Sequence, residues 1–353
     1  SKEDKFKNTA VFLSHVRLDH SKIVNYLNPA VPLYMLEGTK SLLNTLNINN
    51  DFLFPLHKAG ESNVRDINGV KENEIIKVGD IKVKVMPVDH DAYGASGLLI
   101  ETPDLVISYT GDIRLHGYRK DATLNFCKES ENCDVLLIEG VTVSFQELNE
   151  DAHVPADDNE MALIEKINNI VKENPNKQIT FNYYISNIER ILNIIKTNPR
   201  TVVLDAYYSY VLKHATGYQS HYYQLDDKDY GLDKDFEVEF ETLLQDESSY
   251  FWQLDTLAIE QFDRLKEGGI YVHSNATPLG DFDPAYAPFI KRFEDNNIEF
   301  KLASCTGHAH PFDLIEIIDL IKPKLLVPIH SYHPERLYNK SGDVLLPEKK
   351  QTI

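Results

Sequence analysis

The segment Phe12–His20, which reads FLSHVRLDH, decides the interpretation of this sequence. The apolar stretch Ala10–Leu13 predicts a strand, and the loop after it places His15, Asp19 and His20 within six positions. Imidazole and carboxylate groups gathered at the end of a strand make a good site for a first-row metal ion. The cluster alone is equally typical of an ordinary polar loop, so the rest of the chain has to decide between the two.

Three later segments repeat the arrangement of an apolar strand that ends in His or Asp. They are VDH, ending at His90, YTGD, ending at Asp112, and VPIH, ending at His330. Neighbouring strand ends converge at one edge of an α/β sheet, so we expect these side chains to lie close together. Four such strand ends indicate a shared site more strongly than any one of them does.

Strand-like and helical segments alternate along the chain. The predicted strands are Ala10–Leu13, Ile81–Met86, Leu105–Ser108, Val135–Ile138, Ile179–Phe181, Val202–Leu204, Ile270–Val272 and Leu325–Ile329. The predicted helices are Met161–Val171, Ser186–Lys196 and Phe312–Ile321. This alternation predicts an α/β fold of layered sheets and helices, and the length of 353 residues is enough for about two domains.

The composition limits the classes of function. The chain has 36 basic and 55 acidic residues, a net charge of −19, whereas proteins that bind nucleic acid through a basic surface usually have the opposite sign. An RNA substrate would need a local basic groove or a metal to hold its phosphates. The three cysteines form no CxxC pair, which argues against a cysteine zinc site or a disulfide framework. Without an apolar membrane span or a secretory leader, we expect a cytoplasmic protein without membrane contact.

The order of the four segments resembles the signature of the metallo-β-lactamase superfamily. That signature is H-x-H-x-D-H, followed by a lone His, by an Asp that often follows Thr-Gly, and by a His near the end of the domain. The matching positions here are His15-x-Arg17-x-Asp19-His20, His90, Asp112 and His330.

Four further motifs resemble the β-CASP branch of this superfamily, which includes ribonuclease J. They are VLLIE at Val135–Glu139, YISNIER at Tyr184–Arg190, TGHAH at Thr306–His310, and the closing strand and histidine at Lys322–His330. The resemblance implies a metallo-β-lactamase αββα sandwich with an inserted β-CASP α/β domain. Residues 1–150 would form the first part of the sandwich, 151–300 the insertion, and 301–353 the return to the sandwich.

The resemblance also implies a zinc centre. His15 and His90 would bind a first ion, Asp19, His20 and His330 a second, and Asp112 would bridge them. Two cations would lower the pKa of a shared water and neutralise a phosphodiester. Asp19 would also orient the attacking water, His308 would stabilise the scissile phosphate or donate a proton, and Glu139 would support the ligands.

Other residues are candidates for binding the substrate. Ser186 and Asn187 begin a predicted helix, whose free N–H groups could bind a phosphate or simply be capped. Arg190 could pair with a phosphate or lie on the helix surface. Thr306 and Gly307 belong to the motif that carries His308. Arg114, His116, Arg119 and Lys120 form the best local basic patch, or a solvated loop.

The sequence departs from the family at Arg17, which replaces the second histidine of the signature. A guanidinium has no lone pair for a metal and brings a positive charge towards it. The chain could therefore be a single-metal enzyme, an inactive relative in which Arg17 pairs with Asp112 or a phosphate, or a weaker two-metal enzyme. The first two readings rank above the third, so one zinc ion is favoured over two.

Smaller departures concern the substrate. Asp91 replaces a serine of ribonuclease J, His310 replaces the last serine of its motif, and Ser331-Tyr332 replaces Gly-Glu. Only fourteen residues precede His15, so we expect the family's N-terminal β-hairpin to be absent.

Three functions follow from these observations. The leading hypothesis is a metal-dependent phosphodiesterase that acts on RNA, and the resemblance suggests a homodimer. The alternatives are a metal hydrolase of a small molecule, and a degenerate member that binds nucleic acid or protein. A basic groove lined by Arg114, Arg119 and Arg190 would favour RNA as the substrate. A closed pocket would favour a small substrate, and a salt bridge between Arg17 and Asp112 would favour the binding role.

Overall fold

The structure is a computed structural model that describes residues 8–49, 51–54, 65–148 and 158–348. The chain divides into two compact units, Ser1–Ala156 with Thr306–Ile353, and Asp157–Cys305. None of the helices in the described ranges has both the length and the apolar character needed to cross a membrane.

The first unit holds two sheets. Its strands are β1 (Val11–Phe12), β2 (Leu33–Leu36), β3 (Asn68–Val70), β4 (Glu74–Val78), β5 (Ile81–Pro87), β6 (Ser96–Glu101), β7 (Val106–Tyr109) and β8 (Val135–Glu139). The second unit holds β9 (Ile179–Tyr183), β10 (Thr201–Asp205), β11 (His221–Tyr223), β12 (Tyr250–Gln253), β13 (Ile270–Ser274) and β14 (Glu299–Leu302), and the first unit is completed by β15 (Leu325–Ile329) and β16 (Asp343–Val344).

The helices follow the same division. Those of the first unit are α1 (Leu18–Ser21), α2 (Glu37–Leu46), α3 (Lys120–Glu129) and, after the second unit, α9 (Pro311–Ile321). Those of the second unit are α4 (Glu160–Glu173), α5 (Ile188–Thr197), α6 (Ala206–Thr216), α7 (Phe240–Gln245) and α8 (Tyr286–Asp295).

The two sheets of the first unit share one apolar core. The larger sheet has the order β16-β15-β8-β7-β6-β5-β4, and the smaller sheet has the order β1-β2-β3. Strand β5 alternates, as a half-buried strand does: Val83 and Val85 pack with Leu36 and Val70 of the smaller sheet, while Lys84 points away and pairs with Glu129. Helix α2 contacts β2 and β3, and α3 contacts β5 and α9, so helices accompany both sheets.

Parallel pairing brings several strand ends to the same edge. Strand β8 pairs in parallel with both β7 and β15, and Ile329 is in register with Glu139. Asp112 and His330 follow β7 and β15 at this edge. Gly111 and His330 both have a positive φ, +59° and +52°, and for His330 this is an uncommon conformation of the kind found at functional sites.

The second unit contains a six-stranded parallel sheet with the order β11-β10-β12-β9-β13-β14. Every residue of β9, ITFNY, is buried, as expected of a parallel strand that is covered on both faces. Trp252 and Phe181 lie fully buried within the unit. The assignment of this unit to the β-CASP type stays a prediction.

Candidate metal centre

The first group of candidate ligands consists of His15, His90 and Asp112, all buried. Asp112 Oδ2 lies 3.4 Å from His15 Nε2 and 3.9 Å from His90 Nε2. The opposite ring nitrogens are held elsewhere: His15 Nδ1 is 3.0 Å from the Ser14 hydroxyl, and His90 Nδ1 donates to the Gly307 carbonyl at 2.6 Å. Fixing Nδ1 in this way leaves Nε2 to face the carboxylate, the usual arrangement of metal-binding histidines.

The second group consists of Asp19, His20 and His330, and it is more exposed. The short helix α1 carries Asp19 and His20, whose Oδ2 and Nε2 atoms lie 3.3 Å apart. His330 Nε2 is 3.5 Å from Asp19 Oδ2, and its Nδ1 is 3.2 Å from Asp112 Oδ1. His20 Nε2 also lies 3.3 Å from Asp112 Oδ2, so Asp112 contacts both groups.

The residues present fit a metal. Within the described part of the chain, the Nε2 atoms of His15, His20 and His90 are buried and have no hydrogen-bond partner. The same holds for Oδ2 of Asp112, towards which all three nitrogens converge. Buried polar atoms without partners are costly, and ligand atoms around a tetrahedral zinc ion lie about 3.3–3.5 Å apart. Each group also keeps its ligand atoms within 4.8 Å of one another.

Protonation differs between the two groups. Burial lowers the pKa of His15 and of His90, which keeps both rings neutral and able to act as ligands. Burial would also lower the pKa of His20, but the Asp112 and Asp19 carboxylates, each 3.3 Å from its Nε2, raise it to about 9. The same two carboxylates raise the pKa of His330 to about 10. A metal at the second group would therefore displace protons.

Arg17 is paired with Asp91, a carboxylate that the sequence analysis did not predict as its partner. Its Nη2 donates to Asp91 Oδ1, and Asp91 is buried beside His90, 3.5 Å from Nε2. Burial alone would raise the pKa of Asp91, but the positive charge of Arg17 lowers it below its usual range. The positive charge of Arg17, which would disfavour a first metal ion, is thus balanced by the buried carboxylate of Asp91.

His308 and Glu139 lie against the same centre. The Glu139 carboxylate accepts from Val141 N at 2.8 Å and lies 3.1 Å from His308 Nδ1. Burial lowers the pKa of His308, but the charge of Glu139 and the hydrogen bond to it produce a net rise. The His308 ring centroid is 5.2 Å from that of His90 and 6.1 Å from that of His330, which places His308 beside both groups.

The backbone around Thr306 and Gly307 holds other groups of the centre. Thr306 O accepts from Arg114 Nη1 at 3.1 Å, and Thr306 Oγ1 accepts from His308 N at 3.2 Å. A Cβ at Gly307 would lie 2.4 Å from Asp91 Oδ2, so this close approach requires glycine. The substrate-binding role of Thr306 and Gly307 stays a prediction.

The candidates in the second unit have structural partners. Arg190 is fully buried and binds Glu160 through two bonds of 2.8 and 2.9 Å. Helix α5 begins at Ile188, later than expected, and Asn187 caps it by accepting from Arg190 N at 3.1 Å. Ser186 is buried as well. These contacts differ from the phosphate-binding role that the sequence suggested for the three residues, because all three are buried and the polar groups of Asn187 and Arg190 are engaged within the unit.

The predicted basic patch is also neutralised. Arg114 is buried and pairs with Asp89 at 3.0 Å, and Arg119 pairs with Glu72 at 2.7 Å. An open groove lined by free arginines is therefore not what these side chains form. The signal that could have revealed this is the acid Asp89 next to His90, which was assigned no role.

A cavity with exposed aromatic side chains adjoins His330. It has a volume of about 230 Å³ and is lined by Val141, Ser144, Phe145, His330, Ser331 and Tyr332. Phe145 is 75% exposed and Tyr332 is 83% exposed, and their rings meet edge to face at 6.4 Å. Sequence reasoning missed Phe145 because nothing in its neighbourhood distinguishes it from any surface aromatic residue.

Comparisons with known proteins place these observations in a family. A family model described as a beta-lactamase superfamily domain matches residues 3–172. Among solved structures, the chain is similar to a protein of unknown function from Enterococcus faecalis V583, with 47% identity over 97% of this chain and 80% of that chain and a TM-score of 0.91. The comparison with curated proteins gave no match. The chain therefore belongs to the same family as that enterococcal protein. It carries a beta-lactamase superfamily domain, which indicates a metal-dependent hydrolase in general.

Proposed function

We propose that this protein is a metal-dependent phosphodiesterase that acts on RNA of the kind cleaved by ribonuclease J. The observation that carries the proposal is the convergence of three buried imidazole Nε2 atoms on Asp112 Oδ2, with His330 on the other carboxylate oxygen. A shared carboxylate between two ligand groups suits a pair of divalent ions. Zinc is the default ion because the ligands are imidazoles and carboxylates.

We favour two ions over one. The electrostatic objection to the first ion was the unopposed charge of Arg17, and Asp91 pairs with that charge. His15, His90 and Asp112 would still supply three ligand atoms to the first ion. Asp19, His20 and His330 would hold the second ion, and Asp112 contacts both ligand groups.

When bound, metal ions at this centre would supply an activated water and would neutralise charge on the phosphate. Asp19 is exposed at the rim of the centre, where its carboxylate would orient the attacking water. His308, with its pKa raised by Glu139, donates a proton to the leaving oxygen. Glu139 holds the imidazole in place through Nδ1.

The surroundings of the centre favour a short or single-stranded substrate. The exposed rings of Phe145 and Tyr332 beside His330 offer stacking surfaces of the kind that bind bases. Arg114, Arg119 and Arg190 are paired with carboxylates, and the net charge is −19. A long duplex held mainly by phosphate contacts is disfavoured on these grounds.

A metal hydrolase of a small molecule is the second candidate. The cavity of about 230 Å³ beside His330 is too small for more than part of a polymer, and the net charge of −19 disfavours the binding of polyanions. The same ligands and the same His308 would serve an ester or a thioester. Homodimer formation and a cytoplasmic location, both suggested by the sequence, stay predictions.

The test is hydrolysis by zinc-loaded and manganese-loaded protein of a single-stranded RNA oligonucleotide and of bis(p-nitrophenyl) phosphate. We expect the protein to cleave both substrates. Asp112→Asn should lower the rate of hydrolysis at least a hundredfold, because it weakens the binding of both ions. Asp104→Asn, an equal change at an exposed turn, should leave the rate unchanged.

The outcomes separate the candidates. Hydrolysis of carboxylic esters or thioesters without cleavage of either phosphodiester would transfer the proposal to the small-molecule hydrolase. Absence of bound metal after loading, together with absence of hydrolysis, would contradict both and favour a degenerate binding protein.

A further inference from the structure

A third group of metal-type ligands lies outside the centre described above, in the first unit. His116, His310 and Asp313 bring their ligand atoms within 4.8 Å of one another. His116 Nδ1 is 3.6 Å from Asp313 Oδ2, and the ring centroids of His116 and His310 are 4.5 Å apart. The side chains of His116 and Asp313 are only 6% and 14% exposed, so the group is enclosed.

The imidazole of His116 is oriented as a metal ligand would be. Its Nε2 donates to the Thr306 carbonyl at 2.8 Å, which leaves Nδ1 directed at Asp313. That Nδ1 is buried and has no hydrogen-bond partner in the described ranges. A backbone carbonyl that fixes one ring nitrogen while the other faces a carboxylate is the pattern seen around bound metals.

We propose that His116, His310 and Asp313 bind a further divalent transition-metal ion, with zinc as the expected species. Two imidazoles and one carboxylate are ligands that zinc accepts, and the 3.6 Å between Nδ1 and Oδ2 is close to the separation of about 3.3–3.5 Å in a tetrahedral site. Three protein ligands leave the fourth position to a water molecule. The inference does not depend on the proposed function.

The expected role of this ion is structural. His310 is the N-cap residue of α9, Pro311 begins the helix, and Asp313 lies in its first turn. His116 lies in the loop before α3 and also holds Thr306. An ion here would join that loop to the Thr306–His310 segment, which carries His308 to the catalytic centre. The motif that this segment resembles has serine at the position of His310, so the resemblance itself does not imply this site.

The rival explanation is an ion pair without metal. If His116 is protonated on both nitrogens, it can donate to Thr306 and to Asp313 together. That arrangement needs neither His310 nor an ion. Metal counting on variants of His310 and Asp313 distinguishes the two explanations directly.

The experiment is elemental analysis of protein grown with added zinc and desalted without chelator. We expect His310→Ser and Asp313→Asn each to contain one ion per chain fewer than the wild type. His214→Ser, at an exposed histidine of α6, and Asp319→Asn, on the exposed side of α9, should contain the wild-type number. Asp313→Asn preserves volume, so it decides the matter if His310→Ser fails to fold.

A variant that lacks the ligands of the catalytic centre distinguishes an ion at this site from ions at that centre. His20→Ala/His330→Ala disrupts the second ligand group, and His15→Ala added to it disrupts the first. This triple variant should retain one ion, and adding Asp313→Asn should remove it. An unchanged metal content in both single variants, or no metal in the triple variant, would overturn the proposal without touching the proposed function.

Discussion

At the scale of single residues, the ion pair between Arg17 and Asp91 explains how an arginine is accommodated where the H-x-H-x-D-H signature has its second histidine. The guanidinium replaces an expected ligand, and Asp91 stands where the related motif has serine. Asp91 is 4% exposed and Arg17 is 18% exposed, so each needs the other's charge. The two departures from the motifs that the sequence resembles thus compensate each other in charge next to His90.

Removing both partners should lower the free energy of unfolding by less than the sum of the two single removals. Arg17→Ala leaves the buried Asp91 carboxylate without its cation, and we expect a loss of about 3–5 kcal/mol in the free energy of unfolding. The double variant Arg17→Ala/Asp91→Ala should lose clearly less than the sum of the single variants. Urea denaturation of the four proteins in the cycle measures the coupling, and additive losses would show that the pair is not a unit.

Introducing the residues of the motifs that the sequence resembles should strengthen zinc binding at the first group of ligands. Arg17→His/Asp91→Ser adds an imidazole ligand and removes both charges together, so we expect zinc affinity to rise at least tenfold. Competition with a chelating dye measures this. Arg17→Lys serves as the control that keeps the charge and adds no neutral ligand. Equal affinity in the wild type and the double variant would show that position 17 does not face the ion.

Helix and strand ends determine the chemistry at the scale of elements. The ends of β7, β8 and β15 meet at one edge, which places Asp112, Glu139 and His330 together. In the second unit, the N-terminus of α6 is capped by Asp205, which accepts from Tyr207 N at 2.8 Å. Burial raises the pKa of Asp205 to about 7, and the charges of Asp255 and Asp226 add to the rise.

The raised pKa predicts a pH-dependent stability. The folded state binds the Asp205 proton more tightly than the unfolded chain, whose pKa is near 3.8. Its contribution is therefore complete below about pH 4 and is lost as the pH rises to about 7. Asp205→Asn keeps the cap and removes the titration, so its stability relative to the wild type should increase by at least about 1 kcal/mol between pH 5 and pH 8.

Thermal or urea unfolding at the two pH values measures this difference. Asp233→Asn, which changes an exposed cap of a 3-10 turn in the same unit, is the matched control and should show no such change. A constant difference between Asp205→Asn and the wild type across this range would contradict the raised pKa.

At the scale of the whole molecule, the candidate metal ligands and the fully buried ion pair Arg190–Glu160 belong to different units. All six predicted metal ligands lie in the unit formed by Ser1–Ala156 and Thr306–Ile353, whereas Arg190 and Glu160 lie in the other unit. Arg190 also donates to Asn275 Oδ1 at 2.7 Å. The arginine thus joins helices α4 and α5 to the end of β13 inside its own unit.

Breaking this pair should lower stability without removing the metal. Arg190→Gln leaves the buried Glu160 carboxylate without its cation, and we expect a loss of about 3–5 kcal/mol in the free energy of unfolding of the second unit, with the metal content per chain unchanged. Lys196→Gln, an exposed cation on the same helix, should alter neither quantity. Unfolding curves and elemental analysis provide the readouts, and unchanged stability with weaker RNA binding would restore the phosphate-binding role.

Much of the secondary structure followed from local pattern. The predicted strand Leu325–Ile329 is confirmed to the residue, and Ile81–Met86 is one residue short of β5. The predicted helix Phe312–Ile321 begins one residue after α9. Apolar periodicity and the end of the helix before Pro323 are local signals, so they predict the bounds of these elements without knowledge of the tertiary structure.

The sequence by itself determined the α/β alternation and the strand ends that carry His and Asp, and a family resemblance supplied the grouping of ligands. Only the tertiary structure decided which charges meet. Arg17 and Asp91 are 74 positions apart, and Arg190 and Glu160 are 30 apart. The third ligand group and the Phe145–Tyr332 pair likewise join distant segments. Local sequence encodes periodicity and capping, whereas these partnerships depend on how the sheets and helices pack, which no short stretch specifies.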